Sequence, residues 1–350
     1  VLFRSWMEPT SVATNLVNLP SASFIVQEPL GVVCIIAPWN YPFQLLFTPL
    51  IGAIAGGNCA VLKPSEFAPA TAAVMQKIIH SLFSDNYIMY IEGEGAAVLP
   101  PLLTENRFDH IFYTGSTLVG KIIYKLAAEQ LVPVTLELGG KSPAVICEDA
   151  NLRVAARRLA NPKFSNCGQM CIAPDYILVP PALKDKLIEE LIIAIQAFYG
   201  KEAEASEHYG KIINEKQWLR LNAYLGDGEI VYGGKSNKEK LFIEPTIMVG
   251  VSPEAKIMQD EIFGPLLPIL TYESKEEALS IIQKNPNPLA FYVFAENKND
   301  QQYWLTNVPS GGACINNATM HITNHDLPLD RKSTRLNSSH VALSRMPSSA

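Results

Sequence analysis

The sequence has no run of about 18 consecutive apolar residues, so nothing in it reads as a membrane-spanning helix. It has no strand-linked Gly-x-Gly-x-x-Gly, and its body contains no internal repeat and no low-complexity tract. There is no Cys-x-x-Cys pair among Cys34, Cys59, Cys147, Cys167, Cys171 and Cys314, and most of these lie in apolar runs. That usage points to a reducing, cytoplasmic compartment rather than to a disulfide framework. Cys167 and Cys171 are four residues apart, but no histidine or further cysteine accompanies them, which argues against a metal site. Basic runs are missing from the body and the net charge is −6, so nucleic acid and anionic membranes are not expected partners.

What is present fits a large soluble α/β protein. Of 350 residues, 48% are hydrophobic and 18% charged, enough for two domains with their own cores. Residues 7–29 are polar, carry Pro9, Pro20 and Pro29, and read as a linker or an extended arm. From Gly31 to Ala37 the chain is continuously apolar, as a parallel strand buried on both faces should be. Helices over 45–55, 69–83 and 116–129 alternate with strands over 59–62, 87–91, 110–113 and 134–138, the pattern of a doubly wound sheet. A second α/β unit starts near Pro143, with strands over 143–146 and 176–179 and helices over 152–159 and 181–199. The polar stretch 201–240, with Gly226, Gly228, Gly233 and Gly234, reads as surface, and 242–249 and 264–270 as further strands.

Two segments carry unusual chemistry. Lys163-Phe164-Ser165-Asn166-Cys167-Gly168-Gln169-Met170-Cys171 presents a cysteine behind a Gly-Gln pair. A thiol reacts as its thiolate, so Cys171 is either an activated nucleophile or a small buried hydrophobe. In Val134-Thr135-Leu136-Glu137-Leu138-Gly139-Gly140-Lys141 a carboxylate ends an apolar strand, as a buried base or as a paired structural charge. Pro38-Trp39-Asn40-Tyr41-Pro42 follows the first strand, where Asn40 is a turn residue or a held amide donor. Lys63-Pro64-Ser65-Glu66 follows the second strand and reads as a surface ion pair or a grip on ribose hydroxyls. Gly115 and Ser116 open a helix whose N–H groups could face a phosphate. Gly93-Glu94-Gly95 reads as a loop, and Glu261-Ile262-Phe263-Gly264-Pro265 as a strand-entry turn. His80, His110, His208, His321 and His325 form no relay.

Together these motifs resemble the aldehyde dehydrogenase superfamily, and Ala173-Pro174-Asp175-Tyr176-Ile177-Leu178 resembles its class 3 branch, which takes fatty and aromatic aldehydes. The resemblance runs from about Glu28 to Pro328 and departs at Met170, where threonine is usual. It implies a Rossmann-like NAD(P)-binding domain over 30–140, an α/β catalytic domain over 141–329, and an oligomerisation arm over 6–29 that adds to a partner's sheet in a homodimer. The implied catalytic residues are Cys171 as nucleophile, Glu137 as base for the deacylating water, and Asn40 as oxyanion donor with the Cys171 N–H. The implied coenzyme contacts are Trp39, Lys63, Glu66, Gly115, Ser116, Val119, Leu138, Glu261 and Phe263, with Glu66 favouring NAD although class 3 members also accept NADP.

Both ends look foreign. Residues 1–5 and 330–350 resemble translated sequencing adapters, the latter as a disordered tail, and are left out of the fold reading. By the same resemblance the chain lacks the family's first helices and a last strand, and relatives can carry a C-terminal membrane anchor beyond this point. The chain as written is therefore expected to be poorly soluble or inactive. Two other readings stay open, a coenzyme-independent cysteine hydrolase and a non-enzymatic binding protein. The motifs at Lys63, Ser116 and Glu261 speak against the first, and the set Cys171, Glu137 and Asn40 against the second.

Overall fold

The structure is a computed structural model that describes residues 8–324 and Leu327. Residues 1–5, 330–350 and His325 lie outside the described residues. Residues up to Glu137 form one unit, and Leu138 opens a second.

The first unit begins with a hairpin: β1 (Thr10–Val12) pairs antiparallel with β2 (Ser23–Ile25). The polar segment is thus folded back on itself instead of running extended throughout. Then come β3 (Val32–Ile36), α1 (Pro42–Ala55), β4 (Cys59–Lys63), α2 (Pro69–Leu82), β5 (Ile88–Tyr90), α3 (Gly95–Glu105), β6 (His110–Gly115), α4 (Thr117–Glu129) and β7 (Val134–Leu138). The strands form one sheet in the order β5-β4-β3-β6-β7, parallel from β5 to β6. The order reverses at β3, and in such sheets ligands bind at the carboxyl ends of the strands beside that switch. Ile36 pairs with Lys63 on one side and Tyr113 on the other, so the loops after β3, β4 and β6 leave the sheet at one edge. Ile35, Leu46, Leu62, Met75, Ile79 and Ile88 are the centre of its core.

The second unit holds β8 (Pro143–Ile146), α5 (Leu152–Phe164), β9 (Tyr176–Val179), α6 (Pro181–Tyr199), α7 (Glu215–Tyr224), β10 (Glu229–Tyr232), β11 (Ser236–Asn237), β12 (Phe242–Ile243) and β13 (Thr246–Val249). After these follow α8 (Lys256–Gln259), β14 (Leu266–Thr271), α9 (Lys275–Gln283), β15 (Ala290–Phe294), α10 (Lys298–Asn307) and β16 (Gly312–Ile315). Seven strands make a sheet ordered β10-β13-β14-β9-β8-β15-β16, parallel except for the edge strand β10. Buried on both faces, β9, β14 and β15 read as continuous apolar runs.

Four expectations are corrected. Gly93–Gly95 is not only a loop: Gly95 starts α3, which was hidden by Pro100 and Pro101 inside it. The helix expected over 152–159 runs to Phe164, because Pro162 gives up a single bond near the helix end while the Ser165 N–H still donates to Asn161. The stretch 201–240 is not merely surface, since Trp218, Leu221 and Tyr224 of α7 are buried in the core. The strand over 242–249 is two strands, β12 and β13, parted by Glu244-Pro245.

Candidate active-site elements

In the first unit three loops emerge from one sheet edge. Pro38 to Tyr41 follow β3, with Trp39 and Asn40 half-buried, and Pro42 occupies the first turn of α1, where a missing N–H costs nothing. After β4, Lys63 is buried and donates from Nζ to the Pro64 carbonyl (2.7 Å) and to Glu66 Oε2 (3.3 Å). The Gly95 N–H donates to Glu66 Oε1 at 2.9 Å. Burial pushes the Glu66 carboxyl up, but the Gly95 N–H, its own N–H and the Lys63 ammonium outweigh this and hold it below its usual range. Glu66 is therefore an ionised, oriented acceptor with a cation beside it.

After β6, Ser116 caps α4: its Oγ accepts from the Val119 N–H at 3.4 Å, and the Tyr113 hydroxyl donates to the Ser116 carbonyl at 3.2 Å. A methyl group on Gly115 would collide with the Tyr113 hydroxyl, so this close approach requires glycine. Thr114 Oγ1 is buried with no hydrogen-bond partner among the described residues. A helix amino end, a buried lysine and an oriented carboxylate suit the phosphates and ribose hydroxyls of a dinucleotide. Glu137, at the end of β7, is 4% exposed.

In the second unit the nucleophile candidate sits on a strained loop. Asn166 and Cys167 adopt φ of 50° and 54°, and Gly168 follows at 70°. Gln169, buried, fixes this turn by donating to the carbonyls of Asn166 (2.9 Å) and Lys211 (3.0 Å) and accepting from the Ile213 N–H (3.0 Å). Cys171 is half-buried and packs with Met170 against the core. The Tyr292 hydroxyl donates to the Ile172 carbonyl at 2.5 Å. Burial pushes four thiols up: Cys34 and Cys167 to about 12, Cys147 to about 11, and Cys314 in the same direction. These four are protonated, packing thiols at neutral pH.

The Glu261–Phe263 turn is held from three sides. Asp175 accepts from the Lys141 ammonium (2.5 Å) and from the Ile262 N–H (3.0 Å). Lys141 also donates to the carbonyls of Ile257 (2.7 Å) and Asp260 (2.9 Å). From α7, Arg220 donates to the Ile262 carbonyl at 2.7 Å and stacks over Tyr224. Phe263 is thereby kept at φ 48°, and the Glu261 carboxylate lies against Gly139, where any side chain would collide with it. Leu138, next to Gly139, is buried.

Within their units, then, Lys63, Glu66 and Gly95 meet, Gly115, Ser116 and Val119 share one helix end, and Glu261 lies over Gly139. The sequence reading missed the holding residues. Lys141 and Asp175 stood inside quoted motifs without a role, and Arg220 lay in the stretch read as surface. His321 Nδ1 is hydrogen-bonded with the Cys314 thiol (3.3 Å) and His110 Nε2 with the Thr135 hydroxyl (2.9 Å). A cavity of about 510 Å³ between α5 and the 317–320 turn, lined by Arg157, Arg158 and Thr319, includes none of the residues selected from sequence. Among the described residues no helix is long and apolar enough to cross a membrane, and no cluster of three ligand-type side chains could hold a metal.

Comparison with known proteins gives the family and the fold. The family described as the aldehyde dehydrogenase family matches residues 7–329. The chain is 47% identical over 327 residues to the 4,4'-diaponeurosporen-aldehyde dehydrogenase of Staphylococcus aureus, covering 93% of this chain and 71% of that one. It is 42% identical over 323 residues to the dimeric NADP-preferring aldehyde dehydrogenase of Rattus norvegicus, covering 92% and 71%. The solved substrate-bound state of Staphylococcus aureus AldH matches with a TM-score of 0.90 and 47% identity over 93% of this chain and 71% of that one.

Proposed function

The chain belongs to the aldehyde dehydrogenase family, and on that premise we propose that it oxidises apolar aldehydes, medium or long aliphatic or aromatic, with Cys171 as the nucleophile. The activity at the level of the family is NAD(P)-dependent oxidation of an aldehyde. What carries the finer reading is the setting of Cys171, half-buried on a strained turn and flanked by Met170, while the thiols of Cys34, Cys147, Cys167 and Cys314 are buried and held protonated.

In this reading the Cys171 thiolate adds to the carbonyl, and the developing oxyanion accepts from the Cys171 N–H and the Asn40 side-chain amide. Such donors are worth about 3 kcal/mol of barrier each. The nicotinamide coenzyme, when bound, supplies the hydride acceptor. Glu137 takes a proton from the water that attacks the resulting thioester and releases the acid. Lys63 and Glu66 orient the adenosine ribose, Gly115, Ser116 and Val119 the pyrophosphate, and Glu261 the nicotinamide ribose, with Trp39, Leu138 and Phe263 beside the coenzyme. The apolar packing around Met170 supports an apolar substrate. The exposed Leu16, Val17 and Phe24 of the hairpin region support a homodimer built through this arm, as in a relative named dimeric.

The test is Cys171→Ala. Loss of both aldehyde oxidation and ester hydrolysis, each of which passes through a covalent thioester, supports the assignment. Retained oxidation contradicts it.

A further inference from the structure

β15 is apolar from Ala290 to Phe294 except for one hydroxyl, that of Tyr292. The residue is fully buried between β8 and β16, in register with Ala144 on one side and Cys314 on the other, so the sheet fixes its place. Phenylalanine would fill the same space with no polar atom to satisfy. The hydroxyl finds its partner outside the sheet, donating to the Ile172 carbonyl at 2.5 Å. That carbonyl belongs to a tight turn. The Ala173 N–H donates to the Met170 carbonyl at 3.0 Å, which closes Met170 to Ala173 with Cys171 at the first corner. The Ile172–Ala173 peptide is therefore held by both of its polar groups, the N–H by Met170 and the carbonyl by Tyr292. Before Cys171, Gln169 ties the backbone down by donating to the Lys211 carbonyl and accepting from the Ile213 N–H. After Cys171, Tyr292 does the same from the centre of a strand.

We infer that Tyr292 is a positioning residue for Cys171, its hydroxyl holding the turn so that the Cys171 thiol and N–H meet the aldehyde carbonyl together. This rests on the reading of Cys171 as the nucleophile. Tyr292 acts on the reaction only through the backbone that carries Cys171. Addition to the carbonyl therefore depends on the bond, whereas binding of the coenzyme does not.

The experiment compares two phenylalanine variants. Tyr272 makes a bond of the same kind, donating from a buried side chain to the Ile146 carbonyl at 2.8 Å, outside the Cys171 turn. Single-turnover NADH formation is measured with enzyme in excess of aldehyde and NAD saturating, alongside the Kd for NADH and hydrogen exchange at the Ala173 amide. Tyr292→Phe should slow NADH formation by about tenfold, the loss of one hydrogen bond that aligns a reacting group, with the Kd unchanged. Exchange at Ala173 should speed up by about the same factor while the amides of β15 stay protected. Tyr272→Phe should leave both rates as they are. An unchanged rate of NADH formation in Tyr292→Phe, or an equal loss in Tyr272→Phe, overturns the inference. If Tyr292→Phe fails to fold, the unmodified enzyme decides: an Ala173 amide that exchanges as fast as an open loop overturns the inference, and one as protected as the β15 amides supports it. Cys171→Ala separates the two readings. Retained oxidation in Cys171→Ala removes the nucleophile and this inference with it, whereas an inactive Cys171→Ala with full speed in Tyr292→Phe removes Tyr292 alone.

Discussion

Gly168 and Gly264 meet backbone to backbone: a methyl group on Gly168 would collide with the Gly264 carbonyl oxygen and lie 2.7 Å from that of Lys163. The turn before Cys171 and the end of the Glu261–Phe263 segment are thus locked together without side chains. Gly168→Ala faces both this collision and a φ of 70°, for a cost of roughly 2–4 kcal/mol. It should lower the unfolding midpoint in denaturant and reduce kcat by about 100-fold, since small misplacements of a reacting group are expensive. A variant with unchanged midpoint and rate would show that the two segments need not touch.

Lys163 gives a pH-dependent stability. Its pKa falls from the usual 10.5 to about 8, a difference worth roughly 3 kcal/mol. The folded state resists the charge, so below pH 8 folding bears the full cost of burying the ammonium. Between pH 8 and 10.5 the unfolded chain binds the proton and the folded one does not, so stability rises with pH in that window. Lys163→Met should therefore be more stable than the unmodified protein at pH 7, and the advantage should shrink as pH passes 8. Thermal unfolding at pH 7 and pH 9.5 checks this. An advantage equal at both values would contradict it.

How much of this was legible in the sequence differs by residue. Continuous apolar runs gave β3, β4, β8 and β9 because strands buried on both faces admit little else. The Cys171, Glu137 and Asn40 segments were legible because proline, glycine and apolar runs frame them. By contrast, Pro100 and Pro101 concealed α3, and with it the Gly95 N–H that orients Glu66. The ion pair of Lys141 with Asp175 spans 34 positions, and Arg220 reaches Ile262 from 42 positions away. No local pattern records such pairings, because they arise only when separate strands and helices are brought together.

Glu66 should govern coenzyme choice. Its carboxylate is ionised and anchored by the Gly95 N–H and Lys63, so a 2′-phosphate would meet a fixed negative charge. Glu66→Gln should raise kcat/KM for NADP relative to NAD by about tenfold, the size expected from removing one close like-charge contact. The ratio of the two kcat/KM values is the readout, and an unchanged ratio would take Glu66 out of this role.

The central claim is that the reaction passes through a thioester on Cys171 which Glu137 helps water to hydrolyse. The direct measurement is to mix the Glu137→Gln enzyme with an aldehyde and NAD, quench it, and determine by peptide mass which cysteine carries an acyl group while NADH release is followed. The expected result is an acyl group on Cys171, with a burst of about one NADH per site and slow turnover afterwards. Steady turnover at the normal rate, or an acyl group on Cys167 or Cys314 instead, would contradict the account.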